Sequence, residues 1–273
     1  MNKVRPIFKW AGGKFNCIER IVSALPDGKR LIEPFAGAAT VFFNTNYPRY
    51  LLAEQNSDLI IFYQSLKQYK IDFIRYCSRY FTAKFNSAEI YYKLREEFNH
   101  CQKNKKKRAA LFLYLNRHGY NGLCRYNQSG RYNVPFGHHK KVLFPETAMS
   151  DFLGRDSEVE LICTDFRETF KLAREGDIIY CDPPYVPISS CNKAFNYWKD
   201  GFSLEDQCDL AHLAKTASQQ GIQVIISNHD TPFTRQQYEG AMIHSFPVRR
   251  AISCKGDTRQ PVHELLATFS SFG

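Results

Sequence analysis

Twice along this chain short apolar runs alternate with helical ones, and between the two stretches the alternation stops. Arg30-Leu31-Ile32-Glu33-Pro34-Phe35 reads as a strand ending in a turn at Ala36-Gly37, and Ala38 to Asn46 as a helix. Tyr50-Leu51-Leu52-Ala53 reads as a second buried strand, with Glu54 at its C-terminal end and a helix starting at the capping pair Ser57-Asp58. Strand, helix, strand, helix opens a doubly wound sheet. From about 58 to 118 the apolar spacing becomes helical, as in Ile90-Tyr91-Leu94-Phe98 and Leu111-Phe112-Leu115. Gly119 to Lys141 lacks a helical period and is rich in Gly, Asn, Tyr and Arg, which reads as loop or hairpin. Strands return at Val159 to Cys163 and Asp177 to Cys181. A helix over Leu204 to Gln219 is closed by Gly221, and the last strands are Gln223 to Ser227, Met242 to Pro247 and Val262 to Phe269. The pattern predicts an α/β body of residues 1–57 and 145–273, split by a helical insertion at 58–144 that ends in a basic loop or hairpin.

Charge follows the same division. Of the net charge of +10, residues 84–141 carry 13 Lys+Arg against 3 Asp+Glu, whereas 142–273 carry 12 against 18. A basic face for a polyanion on an ordinary body accounts for that asymmetry, and a solvated helix face accounts for it equally. Lys103 to Arg108 is the densest run, and phosphate contact and solvated face stay open for it. A content of 44% hydrophobic and 23% charged residues excludes disorder as the main architecture. No apolar run approaches the ~18–20 residues of a spanning helix. Met1 to Pro6 lacks the apolar stretch of a signal peptide, so a cytoplasmic, nucleoid-associated protein is expected. The nine cysteines form no CxxC and no Cys/His cluster of zinc spacing; Cys163 and Cys181 lie in apolar runs and read as small core residues.

Ligands of open α/β sheets bind beyond the C-terminal ends of the strands, and three features converge there. In Glu33-Pro34-Phe35-Ala36-Gly37-Ala38-Ala39, Gly37 permits close approach of backbone to a ligand, although a glycine here also serves as a plain turn. Glu54 stands 17 residues beyond Gly37, a position from which a carboxylate accepts both hydroxyls of a ribose; alone it reads equally as a surface acid. Neither GxGxxG nor GxxxxGK[ST] occurs, so the pair favours an adenosine-bearing ligand over a phosphate cradle. The third feature, Asp182-Pro183-Pro184-Tyr185, is the most specific. Two prolines stiffen the turn and fix the direction of the Pro183 carbonyl. An acid, an oriented carbonyl and an aromatic ring suit a planar exocyclic amine held by two hydrogen bonds and stacked on the ring.

These motifs, with Phe8-Lys9-Trp10-Ala11-Gly12-Gly13-Lys14, Asn56-Ser57-Asp58, Leu113 to Arg117, Gly119 to Asn127, Asn133 to Gly137 and Ile226 to Asp230, resemble those of the Dam-type DNA adenine-N6 methyltransferases of the D12 class over essentially the whole chain. The resemblance implies a Rossmann-like methyltransferase sheet interrupted by a helical target-recognition region. It also implies S-adenosylmethionine as methyl donor, with no metal, and adenine in duplex 5′-GATC-3′ as acceptor. A monomer is expected. By matched position, Trp10, Lys14, Phe35, Gly37, Glu54, Asp165, Phe166 and Asp182 belong to the cofactor site, with Glu54 at the ribose. Asp182, Pro183 and Tyr185 are catalytic. Lys9, Leu123, Arg125 and Pro135 resemble readers of the GATC base pairs, and Tyr120 and Asn121 resemble residues that wedge into the duplex and fill the vacated space. Arg pairs with guanine O6 and N7, and Leu and Pro contact a thymine methyl. An aromatic ring offsets unstacking, and the target adenine must leave the stack to be reached.

Three departures stand out. Ala39 replaces a second glycine of the βα turn, and Glu54 replaces the commoner Asp. His138 and His139 replace an Arg and a Tyr expected near a phosphate and the first base pair, which bears on choice at the outer G. The rivals to this reading are an altered DNA specificity, an RNA or protein amine methyltransferase, a DNA-binding module without catalysis, and a partner of a restriction endonuclease.

Overall fold

The computed structural model describes residues 3–186, 202–248 and 262–270. Its seven strands are β1 (Arg30–Glu33), β2 (Arg49–Ala53), β3 (Glu158–Ile162), β4 (Asp177–Cys181), β5 (Gln223–His229), β6 (Met242–Val248) and β7 (Val262–Phe269). They form one sheet of order β3-β2-β1-β4-β5-β7-β6. All pairings are parallel except the two that β7 makes. Helices α1 (Ile18–Ala24) and α2 (Thr40–Asn44) flank β1; α3 (Ser57–Ser78), α4 (Ala88–His100), α5 (Lys105–His118) and α6 (Glu146–Leu153) all lie between β2 and β3. Helices α7 (Phe166–Lys171), α8 (Leu204–Gln219) and α9 (Pro232–Gln237) complete the described set.

Successive strand residues point to opposite faces, and both faces are apolar. Leu31, Tyr50, Leu52, Tyr180 and Ile225 face one core; Ile32, Leu51, Ile179, Val224 and Ile226 face the other, under α7 and α8. The first core runs without a break into the insertion, taking in Phe62, Phe73, Tyr91, Phe98 and Phe112. The insertion therefore shares its apolar interior with the sheet. Edge strand β3 is capped by α3, where Lys67 Nζ donates to the Val159 carbonyl at 2.6 Å and Gln64 to that of Leu161 at 3.3 Å. Such cover blunts a sheet edge.

Several boundaries move for local reasons. β1 stops at Glu33, before the proline that has no N–H to pair. α2 begins only at Thr40, because Ala39 takes a left-handed conformation with φ +56°. The cap of α3 is not the Ser57-Asp58 pair but Asn56, whose Oδ1 accepts from Asp58 N at 3.1 Å and Leu59 N at 3.2 Å. Cys181 is buried, but Cys163 is exposed, since it follows the last paired residue of an edge strand. Cys191 and Cys254 lie outside the described residues. The stretch after α5 forms a 3-10 turn at Tyr120–Gly122 and a hairpin in which Asn133 N donates to the Arg125 carbonyl at 3.1 Å and Asn127 N to that of Arg131 at 2.9 Å. No helix among the described residues is long and apolar enough to cross a membrane.

Candidate active site

The strand order reverses between β1 and β4, and the crevice of such a sheet opens at that point. The turn after β1 and the turn after β4 both face it. Gly37 has φ +48°, and a Cβ there would sit 3.0 Å from the indole of Trp10, so only glycine lets Trp10 lie on this turn. Gly37 N donates to Glu54 Oε2 at 3.0 Å, and Asn56 N to Glu54 Oε1 at 3.0 Å. Two backbone amides thus aim the Glu54 carboxylate, while burial pushes its pKa up against them. The Phe35 ring is half-buried and stacks on Phe166 at 5.4 Å, and Phe166 itself is buried behind it. Asp165 caps α7 and accepts from Gln55 at 2.7 Å. These groups make an aromatic wall between two carboxylates at the ends of neighbouring strands.

On the β4 side, Lys14 Nζ lies 2.8 Å from Asp182 Oδ1, donates to the Gly12 carbonyl at 2.7 Å, and sits 4.4 Å from the centre of the Tyr185 ring. Burial pulls the Lys14 ammonium down, but the charge and hydrogen bond of Asp182, with help from Glu264, outweigh it and leave the pKa raised. Ser227 Oγ donates to Asp182 Oδ1 at 3.0 Å. Tyr185 donates to Glu264 Oε2 at 3.2 Å and meets the His229 ring edge-to-face at 4.7 Å. Gln207 Nε2 donates to the Pro184 carbonyl at 2.7 Å, and Asn228 Oδ1 accepts from Val186 N at 3.2 Å. The Asp-Pro-Pro-Tyr turn is therefore held from β5, β7 and α8. Glu33, at the end of β1, is buried with Oε1 lacking a hydrogen-bond partner among the described residues; burial pushes its carboxyl up to about 8. Ser227, Glu264, His229 and Glu33 were not singled out by sequence reasoning. Ser227 and His229 stand in the Ile226 to Asp230 motif, which was the available signal.

The DNA-reading candidates gather on a second surface built by α5 and the hairpin. Asn116 holds the Lys9 backbone from both sides, accepting from its N–H at 3.0 Å and donating to its carbonyl at 2.8 Å, and also donates to the Gly122 carbonyl at 2.9 Å. A Cβ on Gly122 would meet the Lys9 side chain at 2.3 Å. Tyr120 is 50% exposed, so its ring lies outside the packed core; Asn121 beside it has φ +52°. Tyr120 N donates to the Pro135 carbonyl at 2.9 Å, which ties these two candidate DNA-contacting residues together. Arg125 is exposed and its Nε donates to Asn133 Oδ1 at 2.7 Å. Leu123, two residues before it, is half-buried. His138 is exposed with φ +50°, and His139 packs its Nε2 3.2 Å from the Gly119 carbonyl.

The basic run divides. Arg108 is buried and grips Asp58 through two nitrogens, Lys107 pairs with Glu97, and Lys106 lies over the Tyr69 and Tyr76 rings. Burial takes Arg108 out of both the phosphate-contact and the solvated-face readings, whereas Lys106 and Lys107 stay half-buried at the surface. Among the described residues no three His, Cys, Asp or Glu side chains converge as a metal site.

The model of the D12 class N6 adenine-specific DNA methyltransferases matches residues 10–252. The chain is 45% identical over 269 residues to a DNA adenine methylase of Salmonella typhimurium (strain LT2) and to one of Escherichia coli (strain K12), covering 98% of this chain and 96% of each relative. It is 46% identical over 270 residues to a DNA adenine methylase of Serratia marcescens, covering 98% of this chain and 100% of that one. With the family pattern spanning nearly its whole length, the chain belongs to the D12 class of N6 adenine-specific DNA methyltransferases.

Proposed function

We propose that this enzyme transfers a methyl group from S-adenosylmethionine to N6 of adenine in duplex 5′-GATC-3′, after flipping the base out of the helix. One observation carries the reading. Asp182 lies at the switch point with Pro183 and Tyr185, and Lys14 and Ser227 both contact its Oδ1. The crevice suits an adenosine-bearing cation: Glu54 at the end of β2 for the ribose, Phe35 and Trp10 as apolar walls, and Asp182 as the anion nearest the reacting end. When bound, the donor supplies an electrophilic methyl on a sulfonium.

The rest is done by the chain. Tyr185 stacks on the extruded adenine; Asp182 and the Pro183 carbonyl accept hydrogen bonds from its N6 hydrogens. Those two acceptors orient the nitrogen lone pair and favour the positive charge that develops on it, an effect of positioning and electrostatics. Ser227 and Lys14 hold the Asp182 carboxylate against rotation. Arg125 reads a guanine, Leu123 and Pro135 contact thymine methyls, and Tyr120 and Asn121 occupy the gap left by the adenine. The protein acts as a cytoplasmic monomer.

The test incubates the protein with labelled S-adenosylmethionine and duplexes that contain or lack GATC, then digests the product with methylation-sensitive nucleases. Label confined to adenine N6 of GATC is expected. Equal labelling of both duplexes refutes the specificity, and a panel varying the outer G shows whether His138 and His139 have altered it. Label in RNA or protein instead refutes the substrate class.

A further inference from the structure

The hairpin segment Leu123 to Tyr126 alternates. Arg125 is exposed and Leu123 is half-buried at the edge of the core, whereas Cys124 and Tyr126 hydrogen-bond to the start of α3. Asn56 Nδ2 donates to Cys124 Sγ at 3.3 Å, and Tyr126 Oη donates to Asp58 Oδ2 at 2.6 Å. Asn56 and Asp58 open α3 directly after Glu54, and Asn56 N is one of the two amides that aim the Glu54 carboxylate. Asp58 is 3% exposed and is held from two sides of one guanidinium: Arg108 grips it through Nε and through Nη2 at 2.9 Å, and Arg108 Nη1 donates to the Phe98 carbonyl at 3.0 Å. Beyond Arg125 the hairpin is tied down again, where Asn99 Oδ1 accepts from Tyr132 N at 2.8 Å.

The geometry points to Tyr126 and Asp58 as positioning residues for sequence choice: the Tyr126–Asp58 hydrogen bond sets the register of Leu123 and Arg125 on the DNA relative to the cofactor crevice. The inference rests on the reading of Arg125 and Leu123 as base-contacting residues. The bond is charge-assisted and shielded from water, and both conditions make it stiff. Register matters because a bidentate arginine–guanine contact is lost by small displacements. Without the bond the segment loses its charge-assisted anchor to α3 and keeps the softer Asn56–Cys124 contact to that helix, together with bonds inside the hairpin from Tyr132 Oη to the Leu123 carbonyl at 2.9 Å and from Asn133 N to the Arg125 carbonyl at 3.1 Å.

The test compares Tyr126→Phe, Arg125→Ala and a control, Tyr47→Phe, with the wild type. Tyr47 donates to the Pro26 carbonyl, away from the hairpin, so its variant loses one comparable hydroxyl without touching the reading segment. Discrimination is measured as the ratio of kcat/KM for GATC to kcat/KM for duplexes altered at each base pair. Tyr126→Phe is expected to lower discrimination at the pair read by Arg125 by about tenfold, through KM for DNA. Its kcat at saturating DNA and its affinity for S-adenosylmethionine stay near wild type. Tyr47→Phe lowers the unfolding midpoint alone. If Arg125→Ala relaxes discrimination and Tyr126→Phe loses only thermal stability, the positioning role is refuted and the reader stands. If Arg125→Ala leaves discrimination unchanged, the reader assignment itself is overturned.

Discussion

Glu33 makes a prediction whose size follows from its burial. Its carboxyl is enclosed beside α2 with one oxygen lacking a hydrogen-bond partner among the described residues, and burial raises its pKa from 4.5 to about 8. In the unfolded chain the group ionises near the lower value. Between the two values the folded protein keeps a proton that the unfolded chain has released, so stability falls as pH rises through this window. One pH unit inside the window is worth about 1.4 kcal/mol, and the loss flattens as the folded value is reached. From pH 6 to pH 8 the cost grows by about 2 kcal/mol. Glu33→Gln keeps the shape and never ionises, so it removes that slope. Variant and wild type are unfolded thermally at pH 6, 7 and 8 at one ionic strength, without cofactor. The gap between their midpoints should widen in favour of the variant by roughly 4–8 °C across that range. A constant offset at every pH would reflect changed packing and is subtracted by the comparison. Parallel curves would refute the reasoning, because they would require Glu33 to have the same pKa in the folded and the unfolded chain.

Three further outcomes are expected at the site. Asp182→Ala should abolish methylation, by about a thousandfold or more, with near-ultraviolet circular dichroism unchanged; full activity would sink the mechanism. Glu54→Ala removes the acceptor of the Gly37 and Asn56 amides as well as the proposed ribose partner. Calorimetry should show S-adenosylmethionine binding weakened by about tenfold or more. Tyr120→Ala should raise KM for fully paired DNA, and a mismatch at the target adenine, which lowers the cost of extrusion, should recover most of the loss; an equal defect on both substrates would remove the wedge.

What was legible in the sequence is what backbone chemistry writes locally. β4 is apolar from Ile178 to Cys181, and two prolines follow the acid just beyond it, so its end and Asp182 could be read directly. Gly37 is demanded by a positive φ under an indole, a constraint that only glycine meets without strain. Where a signal depended on one competing side chain, the reading slipped by a residue. Asn56, Ser57 and Asp58 are all good caps, and the choice fell to Asn56 because Asp58 is turned inward to Arg108. Cys163 looked like core because its neighbours are apolar, yet it lies past the last pairing of an edge strand, and edge status is a property of the whole sheet.

The basic run shows why charge counting has a limit. Arg108 is the last residue of a lysine-rich stretch that looks like a patch for DNA, and nothing within ten residues marks it as different. Its helix decides otherwise. On α5, Arg108 begins the turn that faces α3, and the carboxylate that neutralises it stands 50 residues earlier in the chain. An unpaired guanidinium at that depth would cost several kcal/mol, so Arg108 and Asp58 have to be considered as one neutral unit. Lys107 with Glu97 and Arg131 with Glu96 lower the effective charge of the insertion further. The cations that remain presented around the Tyr120 turn and the hairpin are few and placed: Lys9 against Gly122, Arg125 on the hairpin, and exposed Lys140 and Lys141 past His139. Their value for a polyanion comes from that placement around Tyr120.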